Sequence, residues 1–240
     1  MSSFGPHPLT LFTQGTPNGY PIAVALEELG LKYNVKSLEF SKNEQKQDWY
    51  IKICPNGRIP ALQDHSRGNF NSFETIAILL YLAQHYDPDH KISFDYNKEP
   101  DLWNEQAQWL AWAQGGLGPM QGQANHFVRY APERIEYPTK RYVNESKRLY
   151  DVLEARLSGG RQWLVGDKYS LADIKAFPWV QIAAWSAVAD LEFTGYPNIK
   201  AWIERIHQRP LTQKGLQVPQ GFDVKAKLEN ADAEAAKARE

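Results

Sequence analysis

The chain has 240 residues, 42% hydrophobic and 12% aromatic, enough for a packed core in one large domain or two ordinary ones. Its 27 basic and 28 acidic side chains leave a net charge of −1, which excludes a whole-molecule field for nucleic acid or an anionic membrane, so a charged ligand must be held by a local arrangement. A single cysteine, Cys54, excludes an intramolecular disulfide framework, the leading residues lack the pattern of a secretion signal, and the longest apolar run, Ile76 to Ala83, is far too short to span a bilayer, which together point to the cytoplasm.

In chain order, Leu9 to Phe12 reads as a strand and Thr16-Pro17-Asn18-Gly19 as a loop. A helix follows, with Pro21 in its first turn, Ile22, Ala25, Leu26 and Leu29 at helical spacing, and Gly30 placed to end it. Tyr33 to Leu38 returns as a strand parallel to the first, and Gln45 to Ile53 suits a short helix. Pro55-Asn56-Gly57 is turn chemistry, after which Ile59-Pro60 enters a strand. A proline there is a candidate cis bond, which would face the amide and carbonyl of Ile59 outward for an extended peptide to pair with. The turn His65-Ser66-Arg67-Gly68 leads to a further strand, and Ser72 is the expected N-cap of an apolar helix reaching Tyr86. The sum is βαβαββα, with free N–H groups at the last helix start suited to a carboxylate.

Residues 87–99 read as a linker, and residues 100–218 as helical. Trp103, Ala107, Leu110 and Ala111 mark one helix and Tyr142, Ser146, Leu149, Tyr150, Leu153 and Leu157 a longer one. Ser170-Leu171-Ala172-Asp173 is a capping-box start flanked by Tyr169 and Ile174 at staple positions, and another helix runs from Pro197 to Pro210. The charged, Ala-rich tail from residue 219 to 240 suits a frayed helix or disorder, not core.

The chemistry these residues permit is limited. No metal site is expected, because the six histidines show no close pairing and there is one cysteine. The glycine run Gly115 to Gly122 lacks a Lys-Ser/Thr pair and follows a helix, so it reads as a bend or a close helix contact, not a nucleotide loop. Cys54 has no resolving partner and reads as a packing residue. Thr16, Asn18 and the helix start behind them have two readings: a plain turn and cap, or a set of donors for the thiolate of a small molecule.

Thr16-Pro17-Asn18-Gly19, Asn56 to Ala61, Phe73 to Leu79 and the Ser170-to-Asp173 cap, in this order and spacing, resemble the cytosolic glutathione transferases over residues 8–215. Leu117 to Met120, Asn125-His126-Phe127 and Arg141-Tyr142 are similar to the fungal group related to the yeast nitrogen-regulation prion protein and to the bacterial nu-class disulfide-reducing transferases. The resemblance implies an α/β thioredoxin-like domain over residues 8–86 with a mixed four-stranded sheet, an all-α bundle over 100–218, and a homodimer. It implies glutathione as cosubstrate, with Ile59 pairing with its cysteinyl backbone, Glu74 and Thr75 holding its γ-glutamyl end, and Gln45 and Arg58 on the glycyl and peptide parts. Asn18 with Thr16 takes the thiol-side, catalytic position, and Arg141 contacts oxidised glutathione. Trp109, Trp112 and His126 are candidate walls for a hydrophobic electrophile, disulfide or peroxide. The expected activity is thiol-disulfide exchange or peroxidase chemistry with some transferase activity; the alternatives are conventional conjugation of electrophiles and a noncatalytic ligandin or assembly module.

Overall fold

The first strand, β1 (Leu9–Thr13), is buried along its whole length, as befits a central strand covered on both faces. In the computed structural model, which describes residues 5–221 and 223–237, it runs parallel to β2 (Tyr33–Ser37) and antiparallel to β3 (Ala61–Asp64), and β3 pairs antiparallel with β4 (Phe70–Phe73). The order β2-β1-β3-β4 is a mixed four-stranded sheet. Helix α1 (Tyr20–Glu28) makes the crossover between the parallel strands, with proline in its first turn as expected. Helices α1 and α3 (Thr75–Tyr86) bury Ile22, Leu26, Ile78, Leu79 and Leu82 in one core with Leu9, Leu11 and Leu62.

Two local expectations are corrected. The stretch expected as one helix over residues 45–53 is split between the end of a 3-10 turn, Glu44–Lys46, and the short α2 (Asp48–Ile51); a further 3-10 turn, Phe40–Lys42, precedes it across Asn43 at φ 52°. Gln45 therefore lies in a turn, because the extended Gln47 interrupts the helix behind it. Ser72 is not an N-cap: it pairs with Leu62 in β4, the ladder continues to Phe73, and the chain turns at Glu74. Glu74 adopts φ 71° and ψ 124°, a sparsely populated conformation for a residue with a side chain. Its side chain is thereby delivered to the rim of the sheet just before α3 begins.

The segment after α3 is firmly anchored. Asp87, itself buried, accepts hydrogen bonds from Lys91 N, Ile92 N and the Ser93 hydroxyl, while the Ile92 carbonyl accepts Leu171 N. Helix α4 (Pro100–Trp112) passes through a π-turn at Ala113–Leu117 into α5 (Gly118–Asn125), a second π-turn at His126–Tyr130 follows, and α6 (Glu136–Leu157) packs on α5. Helix α7 (Leu171–Val180) is buried throughout and forms the axis of the bundle. Helices α8 (Pro197–His207) and α9 (Pro210–Gly215) complete it, and α10 (Val224–Lys237) carries the tail as a helix. All four strands precede α3, so the first domain is thioredoxin-like and the second all helical.

Candidate functional site

A cleft of about 460 Å³ opens where the sheet domain meets the bundle. Asn18, Arg58, Ile59, Glu74 and Thr75 line it, five residues drawn from three separate segments of the first domain, together with Cys54, Asn56, Pro60, Gln114 and Pro119. The peptide bond between Ile59 and Pro60 is cis, as expected, and neither the N–H nor the C=O of Ile59 has a hydrogen-bond partner among the described residues. This main-chain edge is open to an extended ligand. The preceding turn is held from behind: the Tyr50 hydroxyl and the Cys54 thiol both donate to the Arg58 carbonyl, at 2.7 and 3.3 Å. Cys54 is thus a buried packing residue with its sulfur already engaged.

At the other end, Glu74 accepts from Asn56 Nδ2 at 3.0 Å and from Gln114 Nε2 at 3.5 Å, which ties the rim of the sheet to the bundle. The first N–H groups of α3 have no carbonyl within their own helix, and they carry the positive end of its dipole. A ligand presenting a carboxylate and an ammonium side by side suits this pair: helix N–H groups for the one, Glu74 for the other. The Thr75 hydroxyl donates to the Asn18 carbonyl at 3.2 Å, so the α3 start also braces the loop after β1.

That loop corrects one further expectation. Gly19 N–H is taken by the Thr16 carbonyl and hydroxyl, Tyr20 N–H by the same carbonyl, and Pro21 has none, so the first turn of α1 offers the cleft no backbone donor. Asn18 is what remains, with its side chain and its own main-chain N–H, which has no partner among the described residues. Its Oδ1 accepts from the indole Nε1 of Trp179 at 3.2 Å, and no described residue takes the hydrogens of its Nδ2. Thr16 shapes the loop and lies outside the lining of the cleft.

The remaining expected residues lie elsewhere. Gln45 sits behind the turn, its carbonyl 2.9 Å from where a Cβ on Gly57 would fall. Arg141 is exposed and lines a separate groove of about 730 Å³ with Met120, Tyr137 and Arg148. Trp109 and Trp112 meet edge to face and pack against the bundle core, with the Arg156 guanidinium over Trp109, while His126 is exposed beside Phe127. None of these three lines the cleft. Asn56, Gln114, Pro119 and Trp179 were not read from the sequence as site residues. The paired glycines Gly118 and Gly122, one helical turn apart, were the available signal that a large ring packs on α5. Among the described residues no group of histidine, cysteine and carboxylate side chains could hold a metal ion, and no helix is long and apolar enough to cross a membrane.

Comparison with known proteins agrees with this fold. Residues 7–84 match the family model of the glutathione S-transferase N-terminal domain and residues 124–210 that of the C-terminal domain. The disulfide-bond oxidoreductase YfcG of Escherichia coli strain K12 is 40% identical over 212 residues, covering 87% of this chain and 94% of its own. A glutathione transferase homologue from Lodderomyces elongisporus, solved with two glutathione molecules per subunit, superposes with a TM-score of 0.82 at 38% identity over 88% of this chain and 99% of its own. The glutathione transferase URE2P6 from Phanerochaete chrysosporium, solved with oxidised glutathione, gives 0.83 at 38% identity over 88% and 96%. With both domain models matched in order on a sheet domain and a helical bundle that share a cleft, the chain belongs to the glutathione S-transferase family.

Proposed function

We propose that the cleft binds glutathione and that the protein uses it to reduce disulfides. The observation that carries this reading is the convergence in one cleft of an open main-chain edge at Ile59, a carboxylate and helix N-terminus at Glu74 and Thr75, and at Asn18 an amide NH₂ that no described residue accepts from. These match in sequence the cysteinyl backbone, the γ-glutamyl end and the thiol of the tripeptide. Arg58 takes the glycyl carboxylate by charge, supported from behind by Gln45. The name of the bacterial relative as a disulfide-bond oxidoreductase favours disulfides over other electrophiles as second substrate.

The Asn18 amide N–H, with the Thr16 hydroxyl shaping its loop, stabilises the glutathione thiolate and so raises the reactive fraction at neutral pH. That sulfur attacks one sulfur of the substrate disulfide, forming a mixed disulfide while the other sulfur leaves as a thiolate and takes a proton from water. A second glutathione, as thiolate, attacks the glutathione sulfur of the mixed disulfide, giving oxidised glutathione and the second substrate thiol. Arg141 is the proposed contact for that second tripeptide, and Gln114 and Pro119 are the bundle residues that meet the substrate first.

Steady-state rates on a model disulfide, an organic peroxide and an aryl halide, each with glutathione, test the reading. Disulfide reduction is expected to be fastest. Fastest turnover of the aryl halide would make the protein a conjugating transferase, and tight glutathione binding without turnover a ligandin. Asn18→Ala is expected to lower kcat/KM on the disulfide by about tenfold to a hundredfold, the roughly 1.5–3 kcal/mol carried by one hydrogen bond to a charged group. Glutathione affinity by calorimetry should change little, since the rest of the cleft is intact.

A further inference from the structure

We propose that Trp179 is a positioning residue for the thiol end of the cleft, its indole N–H fixing which end of the Asn18 amide faces the glutathione sulfur. This rests on the reading of the cleft as a glutathione site. The two ends of an asparagine amide are nearly the same shape and opposite in polarity, so an unconstrained Asn18 would present the repelling oxygen to a thiolate about as readily as the stabilising NH₂. An indole is a donor only. With Trp179 Nε1 3.2 Å from Asn18 Oδ1, the oxygen is held toward the bundle and Nδ2 is turned to the cleft. The helix start behind it does not compensate if this fails, because Gly19 and Tyr20 N–H are both spent on Thr16, and the main-chain N–H of Asn18 is left as the one backbone donor of this loop without a partner among the described residues.

The indole is itself held in one place. Trp179 is 8% exposed, and its carbonyl accepts from Gln121 Nε2 at 2.7 Å. Gln121 Oε1 in turn accepts the Tyr150 hydroxyl at 3.1 Å. A Cβ on Gly118 would lie 3.0 Å from Trp179 Nε1, and one on Gly122 would lie 3.4 Å from the far edge of the ring. The glycine run on α5 is therefore a seat for this indole, which gives that motif a role in the second domain's control of a first-domain donor. Residues 161 positions apart in the chain are coupled through one hydrogen bond.

The test is the pH dependence of the thiolate ultraviolet absorbance of glutathione bound to the full-length protein, with kcat and KM measured beside it. Trp179→Phe keeps an aromatic ring and removes the N–H. It is expected to raise the thiol pKa of bound glutathione by about one unit, up to a tenfold loss of thiolate fraction at pH values below that pKa. A matching fall in kcat is expected, with KM for glutathione nearly unchanged. In an Asn18→Ala background the same substitution should add nothing. Gly118→Ala, whose new methyl crowds Nε1, should shift the thiol pKa in the same direction and serves if Trp179→Phe does not fold. A Trp179→Phe protein with the wild-type thiol pKa, or one that only loses glutathione affinity, overturns the proposal. Wild-type protein that binds no glutathione overturns the underlying reading; wild-type binding with an unshifted Trp179→Phe overturns this inference alone.

Discussion

Lys175 is fully buried in the middle of α7, and no hydrogen-bond acceptor reaches its Nζ among the described residues. Burial pulls its pKa down to about 8, partly opposed by the negative charge of Glu74 at the rim of the cleft. At pH 7 the ammonium is charged in both folded and unfolded chains, and the folded state bears the desolvation. Between about pH 8 and the unfolded value near 10.4 the unfolded chain binds more protons than the folded one, so stability is expected to rise with pH across that window. Lys175→Met should remove the rise and stabilise the protein at pH 7 by about 1–4 kcal/mol, a range set by the cost of burying an unpaired charge. Urea unfolding at pH 7 and pH 10 checks both statements; a less stable variant at pH 7 would show that the lysine has a favourable partner.

At the scale of single elements, helix starts do more than begin helices. Ser170 and Asp173 close a reciprocal capping box on α7, and each oxygen of the Asp173 carboxylate takes two donors. Leu164 N and Trp202 Nε1 meet Oδ1, while Ser170 N and the Ser170 hydroxyl meet Oδ2. One side chain thereby joins the α7 start to the loop before it and to α8. Asp173→Ala strands four donors in the core and is expected to cost on the order of 4 kcal/mol, read as a lower urea midpoint. A loss below about 1 kcal/mol would mean that the donors find other acceptors. The α3 start works differently: its preceding residue, Glu74, faces the cleft, where it accepts from Asn56 and Gln114, and it caps nothing.

For the molecule as a whole, the cleft exists because the two domains are fixed against one another. Helices α1 and α9 approach so closely that a Cβ on Gly215 would fall 2.6 Å from Val24 Cα. Beside them Glu28 accepts both a bidentate contact from Arg209 and the Thr212 hydroxyl, and the Gln220 carbonyl accepts the Tyr20 hydroxyl. Away from the cleft, Phe70 is half exposed and stacked on Tyr81 of α3, and Tyr96 stands exposed against Trp103 of α4. Leu80, Tyr96, Trp103 and Gln106 line a groove there of about 750 Å³. We propose that the protein forms a homodimer through this surface, since large exposed aromatic patches mark contact sites. Phe70→Glu is expected to weaken dimerisation by at least about tenfold in sedimentation experiments, as loss of an aromatic anchor does. A wild-type protein that sediments as a monomer overturns the assignment.

Much of this was legible in the residues. Alternating and helical apolar spacing marked β1, α1, α3, α6 and α8, and short-range chemistry marked the Pro60 strand entry, the Gly68 turn and the Ser170 cap, because each depends on atoms a few residues apart. The sequence motifs also named Asn18, Arg58, Ile59, Glu74 and Thr75, which the fold brings together in one cleft. Where local signals competed, sheet pairing won: Ser72 has the chemistry of a cap, yet its place opposite Leu62 puts it in a strand. What periodicity could not decide was which partner each polar group meets across the domain boundary. The direction of the Asn18 amide, the company Glu74 keeps with Gln114, and the placement of Trp109, Trp112 and His126 away from the cleft depend on how two independently patterned domains dock. A hydrogen bond between residues 18 and 179 leaves no mark on local spacing, and only the packed tertiary structure sets it.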